Sequence, residues 1–339
     1  MHCIIRTNCF KEQYKRDISR LIDAVTYIGD IDSAVLEDPE LINSEFAKTL
    51  NQGDREYLLW AYEASSISSS VGVGEIVYVD ECGQNENLDK IFSPREIYDY
   101  LREPLSVLVE NDNNDGHFIK CLIKWFGNEI AKKALVANRI RMGNSGGCTN
   151  TLATIQERST GFGGKPKFLR LYVIWDGDKD FPTMKQNKYE KSRKELNRYK
   201  VQYHILEKRA MENYMPDDAL CDIADSCGSS DWYAAYATLS PQQKDFYKIH
   251  DGMTYSKVTR LYADRVNLDS GIQTLYSTVS EGNWNHLMNG LQLGNFKSEF
   301  PRFFESSCHV YKKSLLDRTR HQSNPNELQD IVDAITKLL

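Results

Sequence analysis

The sequence predicts an α/β protein: a mostly parallel, four-stranded core with helices on both faces, flanked by largely helical N- and C-terminal regions. Three observations lead there. From Leu105 onward, short β-branched apolar runs alternate with helix-length amphipathic stretches. The stretches between those runs are long enough for parallel crossovers. Two of the runs, in SVLVE and FLRLYVIWDGDKD, are continuously apolar, as strands covered on both faces are. The divisions implied are a mainly helical region over 1–103, the core over 104–225 and a helical region over 226–339.

In the N-terminal region, SRLIDAVTYIG and DREYLLWAYEA carry apolar residues at helical spacing. SPRE is a capping box: Ser93 caps, Pro94 suits the first helical position, Glu96 closes the box, and Pro104 ends the helix. The Ser- and Gly-rich SSISSSVGVG at 65–74 reads as a loop. In the core, SVLVE is the first strand and HFIKCLIKWFGNEIAKK a helix. ALVANRIRM is a candidate second strand, and TNTLATIQERS is a helix after the Gly146-Gly147 turn. FLRLYVIW is the third strand, KYEKSRKELNRYK a helix and VQYHIL the fourth strand. Beyond DSCGSSDW the chain turns helical again. SPQQ at 240–243 caps one helix. NPNELQDIVDAITKLL makes another, with a stripe of Leu328, Ile331, Val332, Ile335 and Leu338. No internal repeat is visible.

A chain of 339 residues that is 41% hydrophobic and 27% charged can build a sizeable core. MHCIIRTNCFKEQYK lacks the apolar segment of a signal peptide, and no apolar run reaches about 18 residues, so a cytoplasmic protein without a membrane span is expected. The eight cysteines are scattered without a CxxC pair, which argues for reduced thiols and against a zinc ribbon. A net charge of −6 argues against coating nucleic acid by bulk attraction and leaves room for a local basic groove.

The chemistry-bearing residues are acids. Glu110, Asp112 and Asp115 follow the first strand, and Asp176, Asp178 and Asp180 follow the third. In an open parallel sheet both groups fall at the carboxyl edge, where ligands bind at a switch in strand order. Two carboxylates about 4 Å apart repel by roughly 4 kcal/mol at an effective dielectric near 20. A divalent cation relieves that repulsion, and oxygen-only ligands favour magnesium or manganese. A calcium loop fails on spacing, because registering Gly116 at the sixth loop position puts Leu122 where a bidentate Glu is required. Solvated turn material is the ordinary fate of one acid-rich loop, but two on one sheet edge favour a site.

VENDNND, IWDGDKD and EKRAMENYMP, in that order, resemble the TOPRIM domain, the metal-dependent α/β module of topoisomerases, primases and a group of bacterial nucleases. The Glu-Asn-Tyr after the fourth strand is similar to TOPRIM nucleases of the overcoming-lysogenisation-defect (OLD) type and to related anti-phage effectors, which often act beside a separate ATPase. The resemblance covers Leu105 to Pro216 and leaves both flanks outside it. It implies a Mg2+- or Mn2+-dependent endonuclease holding two ions, which hydrolyses phosphodiester bonds of DNA or RNA, tRNA included, in antiviral defence. Carried over by motif, Glu110 is the catalytic carboxylate, and Asp176 and Asp178 hold metal. Asp115 is the acid following the Glu, with Asp112 as stand-in, and Glu212 completes a second metal site. Asn111 stands where the family has Gly, and Asp115 lies one residue further from the Glu than is usual. The family's downstream lysine falls to Lys257 in TYSKVTR, or else to Lys248 in FYKIHDG.

Other features stay open between function and structure. Lys191, Arg193, Lys194 and Arg198, with Tyr189 and Tyr199, form a basic helix that can follow a nucleic-acid backbone or stay solvated. SGGCTN can present backbone amides to a phosphate or serve as a turn. His117 sits beside the acids as a metal or phosphate ligand, whereas His204 falls inside a strand as a core histidine. The partners implied are a nucleic acid and an ATPase protein, with self-association open. The competing readings are a latent or inactive TOPRIM subunit controlled by that ATPase, and a nucleotidyl-transfer enzyme. No zinc-binding region or assignable tyrosine nucleophile supports a primase or a topoisomerase.

Overall fold

The computed structural model describes residues 2–27, 33–67, 75–82, 90–144, 146, 148–161, 168–253 and 270–339. Two parallel sheets follow one another along the chain. The first comprises β1 (His2–Ile5), β2 (Ser33–Leu36), β3 (Ile76–Val79) and β4 (Ile91–Phe92), in the spatial order β2-β1-β3-β4. Its helices are α1 (Lys15–Tyr27), α2 (Glu45–Thr49), α3 (Gln52–Ile67) and α4 (Pro94–Arg102). The mainly helical N-terminal region expected from the sequence is thus corrected, because it is itself α/β. Runs such as HCII and IVYV are four residues long, too short for strand alternation to be told from a piece of helix. Helix α4 forms as its capping box requires. Ser93 Oγ accepts the Glu96 N–H at 3.3 Å, and Glu96 Oε2 accepts the Ser93 N–H at 3.0 Å. Of the expected Ser/Gly loop, 65–67 belong to α3, and 68–74 lie outside the described residues.

The second sheet is the predicted four-stranded core. It contains β5 (Leu105–Val109), β6 (Ile140–Asn144), β7 (Leu171–Trp175) and β8 (Gln202–Ile205), all parallel, in the order β6-β5-β7-β8. Helices α5 (Asp112–Phe126), α6 (Glu129–Val136), α7 (Cys148–Gly161) and α8 (Glu190–Tyr199) connect the strands. Strand alternation divides the side chains between two cores. Val107, Val109, Tyr172 and Ile174 join Phe118 and Leu122 of α5. Leu108, Val173 and Trp175 join Ile155 of α7 and Leu196 of α8. Burial on both faces explains why these strands read as unbroken apolar runs. The expected strand ALVANRIRM is corrected in its first half. Helix α6 runs to Val136, and Asn138 takes a left-handed conformation at φ 55°. The Arg139 N–H then closes the helix end on Ala134 O at 2.8 Å.

After β8 every described element is helical. Besides two 3-10 turns, the described α-helices are, in order, α9 (Asp217–Ser226), α10 (Ser230–Ala237), α11 (Pro241–Phe246), α12 (Ser270–Leu275), α13 (Glu281–Leu287), α14 (Phe296–Glu299), α15 (Phe303–Ser306), α16 (Lys312–Thr319) and α17 (Glu327–Lys337). Leu328, Ile331, Val332 and Ile335 of α17 are buried in the same core as α5. The C-terminal region therefore completes one layer over the second sheet. No described helix is long and apolar enough to cross a membrane.

Buried arginines join the two sheet units. Arg139, just before β6, donates to the carbonyl oxygens of Leu101 and Arg102 (3.2 Å to the latter), and Arg170, just before β7, donates to Glu103 O at 2.9 Å. Cations thus meet the open carbonyls at the C-terminal end of α4, where the helix dipole favours them. A second joint centres on Glu327, which is fully buried. Its carboxylate lies 2.8 Å from His204 Nε2 on β8. It also accepts the Glu207 N–H at 2.8 Å, the Tyr214 hydroxyl and Gln322 Nε2 at 3.0 Å. His204 thus has a buried partner, as a structural histidine should, although its own side chain is only partly buried. Removing the carboxylate strands several buried donors together. Glu327→Ala is expected to lower unfolding free energy by about 3 kcal/mol in urea titrations; a change under about 1 kcal/mol would mean that α17 is held by apolar packing alone.

Candidate functional site

Each sheet extends first to one side of its opening strand and then to the other, so each has a topological switch point at its carboxyl edge. The first, between β1 and β3, is closed by its own charges. Arg6 and Asn8 each reach Asp80 Oδ2 at 3.1 Å, and Lys11 pairs with Glu81. Burial alone would raise the pKa of Asp80, but the Cys82 N–H, Asn8 and Arg6 outweigh it and leave that carboxyl below its ordinary value.

The second switch point, between β5 and β7, opens into a cleft of about 520 Å³. Six acidic residues from four segments line it: Glu110 and Asp115, Asp176 and Asp178, Glu212, and Asp251. Glu110 is the exposed residue immediately beyond β5. Asn111 then caps α5, its side chain accepting the Asn113 N–H at 3.1 Å while Asp115 Oδ2 accepts the Asn111 N–H at 2.8 Å. The apolar run ends in acids and amides because this helix start lies on the cleft.

Beyond β7, Asp176 Oδ1 accepts the Met211 N–H at 3.2 Å. Gly177 presses against the backbone after β8, where an added Cβ would come within 2.7 Å of Leu206 O and would also strike Lys208 O. Only glycine fits between the two aspartates. Asp178 is left-handed at φ 48°, and its N–H donates to Arg209 O at 2.7 Å. Its carboxylate pairs with Lys188 and lies 2.9 Å from the Tyr189 hydroxyl. Asp180 is paired with Arg209 and does not line the cleft.

Glu212 sits on a 3-10 turn over Met211–Tyr214. Asn213 Nδ2 donates to Lys244 O and Tyr247 O, both at 2.8 Å, while its Oδ1 accepts the Ala210 N–H at 3.1 Å. In the Glu-Asn-Tyr motif the acid therefore faces the cleft. The amide ties the turn to the segment carrying Lys248, and the buried tyrosine packs on Phe118.

The electrostatics follow from this crowding. Burial pushes the Asp115 carboxyl from 3.8 up to about 7; Glu212, Glu110 and Asp112 add to the rise, and the Asn111 N–H opposes it. Burial, then Glu212, Asp115 and Glu110, hold Asp176 well above the carboxylate range. Glu212 is raised by burial and by Glu110, against its own backbone N–H, His250 and Arg209. Among the described residues no three His, Cys, Asp or Glu side chains form a ready-made ion cage. The acids line one cleft without closing on a common point, as mutually repelling carboxylates do.

The remaining sequence expectations divide. Lys257 lies outside the described residues, whereas Lys248 lines the cleft. Burial and Arg209 hold the Lys248 ammonium below the usual lysine range, against Asp180 and Asp251. Lys191, Arg193, Lys194 and Arg198 stay on α8 and do not line the cleft. Lys194 pairs with Glu190 at 3.3 Å and Arg198 with Glu195 at 3.5 Å. Tyr189 is buried against Trp175, which removes it as a stacking surface. His117 is corrected from a candidate ligand to a strut, its Nδ1 bonded to Glu305 near the cleft's outer helices. In SGGCTN, the Gly146 N–H is shared between Glu110 O at 3.1 Å and Asn144 Oδ1 at 2.7 Å, so that amide is not open to a phosphate. Asp112 is half-buried at the first turn of α5 and stays outside the cleft lining. Sequence reasoning missed Arg209, His250, Asp251 and Lys297, which also line it. Only the basic dipeptide after the fourth strand hinted at Arg209.

Comparisons with protein-family models, with curated proteins and with solved structures find no match. What defines the chain is therefore its fold class, an α/β protein of two parallel sheets, and an acid-lined cleft at the second switch point.

A carboxyl that titrates higher in the folded than in the unfolded chain stabilises the fold below its unfolded pKa, and that stabilisation is lost as pH rises through the folded value. In buffer with a chelator, Asp115→Asn should therefore gain melting temperature relative to the unsubstituted protein as pH rises from about 4 to about 7. A constant difference across that window would mean that Asp115 titrates normally.

Proposed function

We propose that the protein is a divalent-metal-dependent nuclease of the TOPRIM kind that hydrolyses phosphodiester bonds of DNA or RNA. The observation that carries this reading is the meeting of Glu110, Asp115, Asp176, Asp178 and Glu212 in one cleft at a parallel-sheet switch point, with Lys248 and Arg209 beside them. An all-oxygen donor set in a partly buried cleft fits a hard cation such as Mg2+ or Mn2+. The raised pKa values of Asp115, Asp176 and Glu212 support the fit, since a cation is what would let all three ionise together.

Glu110, Asp176 and Glu212 would hold the ions, with Asp178, steadied by Lys188 and Tyr189, at the edge of the set. Asp115 keeps Asn111 and the start of α5 in register while facing the same cleft. Such ions supply charge neutralisation at a phosphate and a more acidic water. The chain's own residues contribute position and charge. Lys248, half-buried and 3.8 Å from Asp180, is set to face a phosphate oxygen, and Arg209 anchors the loop that carries Asp176 to Asp180. The Glu-Asn-Tyr turn supports assigning this nuclease to the OLD-like anti-phage effectors, with an ATPase partner as its regulator.

Purified protein with Mn2+ should cut nucleic acid. Glu110→Ala and Asp176→Asn should each slow cutting by at least about 100-fold, and Lys248→Met by a similar factor. Neither acid variant should melt lower than the unsubstituted protein, because burial already penalises the charged carboxyl at Asp176 and Glu110 is exposed. Cutting at an unchanged rate in both acid variants would remove the assignment.

A further inference from the structure

Two further segments bring rings into the cleft. Tyr247, Ile249, His250, Phe296 and Pro301 line it alongside Lys248, Asp251 and Lys297, so apolar and aromatic side chains sit among charged ones. His250 is the exposed member, its side chain 46% accessible. Behind it stands a column of rings. The imidazole centroid lies 4.5 Å from Phe296, tilted by 35°, and Phe296 stacks on Phe300 at 4.6 Å and 19°. Both phenylalanines are buried in the main core, so the column has a fixed base.

The backbone under His250 is equally constrained. Gly252 and Gly290 both have positive φ, at 70° and 65°, and pack back to back. The Leu291 N–H donates to Ile249 O, and the Gly252 N–H to Lys248 O, each at 2.7 Å. A Cβ on Gly290 would strike the carbonyl of His250, which explains the glycine there. His250 Nδ1 also lies 3.0 Å from Asp251 Oδ1, which fixes the ring's rotation. One face of the imidazole is thus backed by Phe296 while the side chain remains open to the cleft.

We propose that His250 is a stacking platform for a nucleobase, and that the cleft accepts an unpaired nucleotide. A nucleotide offers a partner to each kind of side chain, an anionic phosphate for the lysines and a flat apolar base for the ring. With the base on His250, its phosphates meet Lys248 and Lys297, which flank the platform and line the same cleft. A base inside a duplex has no free face to offer, because its neighbours cover both. A cavity of about 520 Å³ is also the size for one small ligand rather than a double helix. Stacking of a base on an aromatic side chain contributes about 1–3 kcal/mol, and histidine is among the side chains that serve. The proposal rests on the nuclease reading for the polymer's identity, and its test is separable from cleavage.

The probe is a short single-stranded oligonucleotide carrying 2-aminopurine, mixed with the full chain in Ca2+ so that binding is read without turnover. Binding with quenched fluorescence is expected, with the matched duplex at least about tenfold weaker. His250→Ala should weaken binding by about tenfold and abolish the quench, and His250→Phe should restore both, because stacking needs a ring and not a proton. Equal binding of duplex and single strand, an unaltered quench in His250→Ala, or failure of His250→Phe to restore it would each overturn the proposal. A separate cleavage assay with Mn2+ tells the two readings apart. Stacking without cutting removes the nuclease, and cutting of duplex without any dependence on His250 removes the platform.

Discussion

Like-charge repulsion among carboxylates at the carboxyl edge of one sheet is the constraint that the rest of the structure answers. Burial first, and then the neighbouring acids, make the Asp115, Asp176 and Glu212 carboxyls harder to ionise. Holding them together takes rigid backbone. Gly177 lets the Asp-Gly-Asp turn lie flat against the carbonyls after β8. Asn213 pins the Glu212 turn to the Lys244 and Tyr247 carbonyls. Glu327 ties β8 and Tyr214 to α17, two residues from Glu212 along the chain. Each brace acts on backbone or on neighbouring side chains, leaving the cleft acids to face the cleft.

The first sheet provides an internal contrast. It has the same strand order and also carries acids beyond its third strand, yet Arg6, Asn8 and Lys11 are directed back onto Asp80 and Glu81. The result is an Asp80 below its ordinary range where Asp176 stands well above. Topology alone therefore creates a place for a ligand and does not decide whether one is used. At the first switch point the protein supplies its own counterions. At the second it leaves acids in excess, which is the signature expected of a site whose counterion comes from outside.

The second sheet was legible in the sequence because its central strands, β5 and β7, are buried on both faces; in the first sheet only α4 was as plain, through the capping box of Ser93 and Glu96. The acid positions were legible too, since a residue next after a strand must fall at the sheet edge. Three kinds of information were not. The four-residue strands of the first sheet are shorter than the window over which periodicity speaks. Asn138 ends a helix with a backbone conformation that asparagine adopts only in some contexts. His250 and Lys297 reach the cleft through tertiary packing of a turn and a short helix remote in sequence, and nothing local marks them. His117, adjacent to the acids in sequence, is drawn away by Glu305, a partner 188 residues distant.

Anomalous diffraction from crystals soaked in Mn2+ tests the central idea most directly, because it locates the ion without requiring turnover. Density at the manganese edge should appear between Glu110 and Asp176, within reach of Glu212, and those side chains should close toward it to oxygen contacts of about 2.1–2.2 Å. Manganese settling only on surface acids elsewhere, or absent from the cleft at millimolar concentration, would contradict the reading of this edge as a metal-dependent site.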